Sequence, residues 1–311
     1  MSKKICIIGC GKVGSAAGFA LAMSGMADEI VLIDILADKA KGEAMDIGHA
    51  SAMNDTVVRA GGYSDIKDSG VIIFSAGVGR KPGEKLTDLA ERNAKVARSA
   101  AAEIKKYYNS GVVLVVTNPV DVITYIMDEA LGLPKGRVIG AGTSLDTVRL
   151  KDEIAKHFGV HKSNIVCFVM GEHGETAVPV WSMTTVYGIN IAEYATSAGL
   201  PFGADVQDAL LKKTKTVGAS ITALKGATYY GITVGIINIC KEILNGTNSL
   251  LTVSATLGGE YGMRGTAISL LGSLGKNGLN YFVMPHIDED ELDRIRASAA
   301  KVETEIKKVL P

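Results

Sequence analysis

Short apolar runs alternate with longer amphipathic segments along the first half of the chain. The runs are rich in Val and Ile, as expected of strands that are buried on both faces. The longer segments repeat their apolar residues every three or four positions, which predicts helices. Strands are predicted at residues 5–8, 29–33, 57–60, 71–76, 112–116 and 137–140, and helices at residues 13–21, 39–50, 88–108 and 121–130. This repeated strand–helix–strand order predicts an α/β fold, a doubly wound parallel sheet with right-handed crossovers.

A different pattern begins near residue 143. Two long helical segments and scattered short strand candidates replace the regular alternation, which indicates a mixed α+β fold. The helices are predicted at residues 145–158, 204–224, 228–244 and 288–310, and the strands at residues 165–169, 250–254, 267–271 and 281–283. We therefore expect two closely joined domains, residues 1–143 and residues 144–311.

The turn after the first predicted strand contains Gly9, Gly11 and Gly14 in G-x-G-x-x-G spacing. Gly9 allows the backbone angles of a tight strand-to-helix turn, Gly11 lets a pyrophosphate approach the backbone, and Gly14 allows close helix–strand packing. The unpaired N–H groups and the dipole at the start of the helix attract phosphate. Because a strand precedes the glycines and a helix follows them, we predict a dinucleotide-binding site of Rossmann type.

Asp34 ends the second predicted strand, twenty residues after Gly14. A carboxylate at this distance accepts hydrogen bonds from the adenosine ribose and would repel a 2′-phosphate. Ile35 and Leu36 offer no cation to hold such a phosphate, so we expect NAD and not NADP. Two other interpretations remain open. A methyltransferase holds a nucleoside with a similar turn and acid, and an α/β core can contain an ordinary glycine-rich turn.

Other candidate residues follow the later strands of the first half. Ligands of open parallel sheets bind beyond the carboxyl ends of the strands. Residues 77–89 are rich in Gly, Pro and charges and form a loop long enough to cover such a site. The predicted cofactor-binding residues are Gly9, Gly11, Lys12, Val13, Gly14, Asp34, Ala76, Gly77 and Asn118.

Charge and composition exclude several classes of protein. Lys+Arg and Asp+Glu balance at 33 each, so we expect neither a nucleic-acid partner nor a membrane partner. No apolar stretch approaches the length of a membrane span, and the apolar run after Lys4 is too short for a signal peptide. The four cysteines form no C-x-x-C pair, so we expect reduced thiols in a cytoplasmic protein. No metal site is expected.

The candidate chemistry lies in the second half of the chain. His173 stands in a GEHG turn, where flanking glycines leave its imidazole accessible. Asp146 and Arg149 are three residues apart at a helix start and share one face. A carboxylate that orients an imidazole, an imidazole that exchanges a proton and a guanidinium that binds a carboxylate suit the oxidation of a 2-hydroxy acid. The alternative, a solvated helix start and an ordinary turn histidine, stays open on these residues alone.

Six segments make the chain resemble the L-lactate/L-malate dehydrogenase family over essentially its whole length. They are GCGKVG (9–14), GEAMD (42–46), TNPVD (117–121), LDTVR (145–149), GEHG (171–174) and KGATYYGI (225–232). The resemblance implies that His173 is the acid/base, Asp146 its partner and Arg149 the clamp for the substrate carboxylate. It also implies that Asn118 orients nicotinamide and substrate, that Thr228 lines the substrate pocket, and that the chain forms a homodimer or homotetramer.

The substrate depends on the loop at residues 77–89. Arg80 stands where malate enzymes of the family tend to carry arginine and lactate enzymes glutamine, and it would pair with the distal carboxylate of oxaloacetate. We therefore expect an NAD-dependent malate dehydrogenase of the lactate-dehydrogenase-like type, an enzyme of the tricarboxylic acid cycle. Thr228 and the KGATYYGI run resemble the lactate branch or the lactate-like malate enzymes. The alternative within the family is therefore a dehydrogenase of L-lactate or another 2-hydroxy monocarboxylic acid. Leu86 replaces a family arginine that polarises the substrate carbonyl, so another alternative is an NAD-binding protein with impaired catalysis.

Overall fold

The first half folds into six parallel strands and four helices within the part of the chain that the computed structural model describes, residues 3–79 and 86–310. The strands are β1 (Lys4–Ile8), β2 (Glu29–Ile33), β3 (Val57–Ala60), β4 (Val71–Phe74), β5 (Val112–Val115) and β6 (Val138–Gly140). The helices are α1 (Lys12–Ser24), α2 (Ala37–Ala50), α3 (Leu86–Tyr107) and α4 (Val120–Leu131). Helix α1 packs against α2, and α3 packs against α4, so helices cover the sheet.

The second half adds five helices and eight strands in the same described ranges. The helices are α5 (Ser144–Phe158), α6 (Ile191–Ala198), α7 (Ala204–Lys225), α8 (Tyr230–Asn245) and α9 (Glu289–Val309). The strands are β7 (Ile165–Val166), β8 (Val169–Met170), β9 (Val178–Pro179), β10 (Thr185–Val186), β11 (Ile189–Asn190), β12 (Ser249–Gly258), β13 (Arg264–Gly275) and β14 (Gly278–Phe282).

One sheet runs through both halves in the order β14-β13-β12-β6-β5-β4-β1-β2-β3. Strands β1 to β6 pair in parallel, which confirms the predicted Rossmann-type sheet. Strands β12 to β14 are antiparallel and join the sheet where Ser254 pairs with Gly140. The sheet therefore continues past residue 143, and the division into two domains there stays a prediction.

Buried apolar strands form the main core. The side chains of β4 and β5 are fully buried, as expected for central strands covered on both faces. A smaller core lies among α5, α6 and α7, where Leu150, Phe158 and Trp181 are buried together. Within the described residues no helix is long and apolar enough to cross a bilayer.

Several predicted boundaries of the second half differ from the observed ones. The strand predicted at residues 165–169 is two short strands, because β7 pairs with β10 whereas β8 pairs with β9. The helix predicted at residues 228–244 begins at Tyr230, after α7 ends at Lys225 and Gly226 caps it in a left-handed conformation. Thr228 therefore lies in the short segment between α7 and α8, not on a helix.

The central strands β1, β4 and β5 end side by side. Their carboxyl ends lead directly into Gly9, Ser75 and Val116, so the predicted cofactor residues of three separate segments meet at one edge of the sheet. The strand order reverses between β1 and β4, which is where ligands bind in open α/β sheets. The fold thus places a candidate site at this edge.

Candidate active site

The three glycines after β1 differ in the space around them. Gly9 has φ of 99°, and a Cβ built on it would lie 2.5 Å from the backbone nitrogen of Ala76. A Cβ on Gly14 would overlap the carbonyl oxygen of Gly9, whereas one on Gly11 would meet nothing within 4 Å. Gly9 and Gly14 therefore permit a tight turn and close packing, and Gly11 faces open space beside the start of α1. This arrangement fits a pyrophosphate approaching the backbone at Gly11.

Gly11→Ala and Gly14→Ala should separate cofactor binding from folding. Gly14→Ala should destabilise the protein by about 1–3 kcal/mol because its methyl group overlaps Gly9. Gly11→Ala should leave the melting temperature nearly unchanged but weaken NADH binding by about tenfold or more, since its methyl group fills the phosphate approach. Thermal melts and NADH fluorescence titrations check both. Equal loss of stability in the two variants would contradict the assigned roles.

Asp34 is held in place directly after β2. Its Oδ2 accepts a hydrogen bond from the backbone N–H of Cys10 at 2.7 Å, and its Oδ1 accepts one from Leu36 at 3.0 Å. The carboxylate is half-buried, and the neighbouring Ile35 is 95% exposed. Asp34 thus presents a fixed negative charge beside the glycine turn, as a ribose-binding acid requires.

Asn93, to which the sequence analysis assigned no role, joins the ends of β4 and β5. Its Oδ1 accepts the N–H of Val78 at 2.8 Å, and its Nδ2 donates to the carbonyl of Asn118 at 2.7 Å. The Thr117 hydroxyl donates to the carbonyl of Ala76 at 2.8 Å. Asn93 is 1% exposed, so it orders the two predicted cofactor loops from inside.

A cleft of about 980 Å³ opens at this edge of the sheet. It brings together predicted residues from both halves of the chain, namely Gly11, Lys12, Val13, Gly77, Asn118, His173 and Thr228. Among the described residues, Gly9, Gly14, Asp34, Ala76, Asp146 and Arg149 lie outside its lining. The lining therefore places the predicted phosphate loop and the predicted acid/base in one cavity.

His173 and Asp146 form the closest polar pair of the site. Nδ1 of His173 lies 2.5 Å from Oδ2 of Asp146, which is 5% exposed. The Asp146 charge raises the pKa of His173 to about 9, against the opposing effect of burial. Burial alone would raise the pKa of Asp146, but the charge of His173 and its hydrogen bond outweigh this and lower it. The imidazolium form is therefore stabilised, and Nε2 is the ring nitrogen left to exchange a proton with a substrate.

Arg149 lies one helical turn after Asp146 on α5. Its Nη1 is 3.7 Å from Oδ1 of Asp146, and its side chain is 16% exposed. A Cβ built on Gly218 of α7 would lie 3.3 Å from Nη2, so α7 approaches the guanidinium closely. Burial lowers the pKa of Arg149, with Asp146 opposing this, but an arginine stays protonated in proteins. A guanidinium held beside the imidazole can bind a substrate carboxylate.

The loop that carries His173 is anchored to α4 and α9. The backbone N–H of His173 donates to Oδ2 of Asp121 at 2.8 Å, and that of Glu172 donates to the Ser298 hydroxyl at 2.8 Å. The carboxylate of Glu172 pairs with Lys301 at 3.0 Å. The sequence analysis gave none of these anchors a role, although Asp121 ends the TNPVD segment.

Two predictions for the loop at residues 77–89 concern Arg80 and Leu86. Arg80 lies outside the described residues, and Leu86 is described only as the first residue of α3.

Within residues 3–79 and 86–310, no three His, Cys, Asp or Glu side chains converge as metal ligands.

Named relatives match the chain over nearly its full length. It is 38% identical over 307 residues to the L-lactate dehydrogenase of Thermoanaerobacter pseudethanolicus, covering 98% of this chain and 99% of that protein. Its fold is similar to that of a minor L-lactate dehydrogenase from Enterococcus mundtii, with a TM-score of 0.94, 34% identity and 99% of each chain covered. It is also similar to an L-lactate dehydrogenase from Clostridium thermocellum, with a TM-score of 0.87, 38% identity and 100% of each chain covered.

The prediction of a malate dehydrogenase of the tricarboxylic acid cycle is wrong. It rested on Arg80, whereas these relatives are named L-lactate dehydrogenases and favour the lactate alternative. One cation on a long side chain does not fix the substrate, because discrimination depends on all the groups that surround it. Thr228 of the KGATYYGI run, which resembles the lactate branch or the lactate-like malate enzymes, lines the cleft.

Two family domains account for nearly all of the sequence. Residues 3–140 match the lactate/malate dehydrogenase NAD binding domain, and residues 143–311 match the lactate/malate dehydrogenase alpha/beta C-terminal domain. The cofactor predicted from Gly11 and Asp34 is thereby confirmed as NAD. The chain belongs to the lactate/malate dehydrogenase family.

Proposed function

We propose that this protein is an NAD-dependent L-lactate dehydrogenase that interconverts L-lactate and pyruvate. The observation that carries the proposal is the His173–Asp146 pair, in which a buried carboxylate holds an imidazole at the wall of the NAD cleft. The choice of lactate follows the names of the full-length relatives. We further propose residues 1–143 as the NAD-binding domain, residues 144–311 as the catalytic domain, and a homodimer or homotetramer as the assembly, which light scattering would measure.

In the proposed reaction, Arg149 binds the substrate and His173 transfers the proton. Arg149 binds the C1 carboxylate of pyruvate with two parallel hydrogen bonds. NADH, when bound, supplies the hydride that C2 receives. Protonated His173 donates the proton of Nε2 to the C2 oxygen, and the neutral ring takes a proton from lactate in the reverse direction.

The supporting groups fix these positions. Asp146 keeps the proton of Nδ1 on the imidazole and stabilises the imidazolium before transfer. Asn118 and Thr228 both line the cleft; in this proposal Asn118 orients nicotinamide and substrate, and Thr228 lines the substrate pocket. Gly9, Gly11, Lys12, Val13, Gly14, Asp34, Ala76 and Gly77 are the proposed NAD-binding residues.

The proposal is tested by NADH oxidation at neutral pH with pyruvate and oxaloacetate in parallel. We expect kcat/KM to be at least about tenfold higher with pyruvate. Preference for oxaloacetate would overturn the lactate assignment. Turnover with neither acid, together with NADH binding, would support the other candidate, an NAD-binding protein with impaired catalysis. That candidate rests on Leu86, where the family carries an arginine that stabilises the transition state.

A further inference from the structure

Asp121 lies directly behind the loop that carries His173. It is in the first turn of α4 and is 2% exposed, although it reaches the wall of the cleft. Its Oδ2 accepts the backbone N–H of His173 at 2.8 Å. This bond ties the segment that carries the imidazole to the same helix that follows Asn118.

The other carboxylate oxygen of Asp121, Oδ1, is buried in an energetically unfavourable environment. The Ser254 hydroxyl interacts with the carboxyl group and lowers its pKa. Among the described residues, however, neither Oδ1 nor that hydroxyl has a partner in hydrogen-bond geometry. Leaving a carboxylate oxygen buried without a hydrogen bond is unfavourable. A neutral amide could accept the N–H of His173 equally well, so the backbone bond alone does not explain why a charged group stands here.

The charged groups around His173 show what the carboxylate can do. On α5, Asp146 stabilises the imidazolium and Arg149 opposes it, and Asp121 on α4 acts in the same direction as Asp146. Glu172 of the same loop is already paired with Lys301 on α9. From α7, Lys215 donates to the carbonyl of Glu175 at 2.7 Å.

We propose that Asp121 is a positioning residue whose negative charge stabilises the imidazolium form of His173 while its hydrogen bond fixes the backbone of that loop. The inference rests on the proposed role of His173 as the acid/base. Asp146 forms a hydrogen bond with Nδ1 of the imidazole ring, whereas Asp121 accepts a hydrogen bond from the backbone N–H of His173. Two carboxylates on different helices thus set the protonation of one imidazole.

The charge of Asp121 should affect the pH dependence of pyruvate reduction and of lactate oxidation in the same direction. Burial raises the pKa of Asp121 to about 6, so the carboxyl remains mainly ionised at neutral pH. Pyruvate reduction needs the imidazolium and is lost as the pH rises through the pKa of His173. Lactate oxidation needs the neutral ring and is lost as the pH falls through the same pKa. Removing the Asp121 charge should therefore lower two pH limits, the pH above which pyruvate reduction is lost and the pH below which lactate oxidation is lost.

The test compares Asp121→Asn with Asp128→Asn, the same change seven residues later on α4. The amide introduced by Asp121→Asn would keep an oxygen for the N–H of His173 but lose the charge. We expect the pH limits of kcat/KM for both directions to move down by roughly one unit, a tenfold fall in the proton affinity of His173. Asp128→Asn should leave both limits unchanged. NMR titration of the His173 imidazole in the protein without NADH, assigned with His173→Asn, should show the same shift.

The results of these measurements distinguish a failure of the role proposed for Asp121 from a failure of the proposed function. Lower rates with unmoved pH limits and an unmoved NMR titration would show that Asp121 is only structural and overturn the proposal. If the unmodified protein turns over no 2-oxo acid, the proposed function fails, but the NMR titration still decides the role of Asp121. Asp121→Glu should keep the titration near its original pH. Asp121→Ser offers a smaller uncharged side chain if Asp121→Asn does not fold.

Discussion

Replacing His173 with asparagine is expected to lower kcat/KM for pyruvate by about 10²–10⁴-fold, the usual contribution of a positioned acid/base. The amide can keep a hydrogen bond to Asp146, so the site should retain its shape. It has no group that exchanges a proton near neutral pH. The loss should therefore appear in turnover, while NADH affinity measured by fluorescence stays within about twofold.

The pH dependence of the unmodified protein provides a second check on His173. Because the Asp146 charge raises the pKa of His173 to about 9, the imidazolium persists below that pH. Pyruvate reduction should reach a plateau below pH 9 and fall above it, and lactate oxidation should rise over the same interval. Asp146→Asn should shift both changes to lower pH.

A matched control for His173→Asn is His49→Asn. His49 is exposed in the last turn of α2 and takes no part in the cleft as described. This variant should retain full activity. Near-normal turnover in His173→Asn, with unchanged stability, would remove His173 from the acid/base role.

The parallel part of the fold was predictable because of where its strands lie. Strands covered on both faces need continuous apolar side chains, and β4 (VIIF) and β5 (VVLV) show this directly in the sequence. The glycine turn was also predictable, since its spacing reflects local backbone geometry. Gly9 and Gly14 are indeed the positions where a Cβ would collide with neighbouring backbone.

The division and pairing of the short strands in the second half were not predictable, although one strand was predicted at residues 165–169. Strands β7 to β11 have two residues each, which is too few for an alternating pattern. One of these pairings joins residues that are well separated along the chain, Ile165 and Val186. The pattern in a short window can therefore indicate an extended segment, but not how it is divided or with which strands it pairs.

Asn93 and Asp121 were missed for a related reason. Each is a polar residue on an otherwise ordinary helix, and its role exists only because another loop reaches it. Asn93 bonds to Asn118, and Asp121 bonds to His173 across 52 positions. By contrast, Asp146 and Arg149 could be predicted as a pair because helical spacing places them on one face.

The geometry around Arg149 leaves little freedom for a different cation. Asp146 lies 3.7 Å from Nη1 on one side, and Gly218 lets α7 pass close to the guanidinium on another. A planar group held in this way can meet a carboxylate with two parallel bonds. A lysine in the same place would offer a single point charge on a flexible stem.

Arg149→Lys is therefore expected to lower kcat/KM for pyruvate by about 10²–10³-fold. Losing one charge-assisted hydrogen bond and misaligning the other costs roughly 3–4 kcal/mol, and each 1.4 kcal/mol is a factor of ten. Steady-state kinetics with pyruvate and with its uncharged amide measure this, since only the acid has a carboxylate for Arg149 to bind. Arg296→Lys, the same change at a half-exposed surface arginine, should leave activity intact. An equal loss on both substrates would mean that Arg149 supports the fold of the site and does not bind the carboxylate.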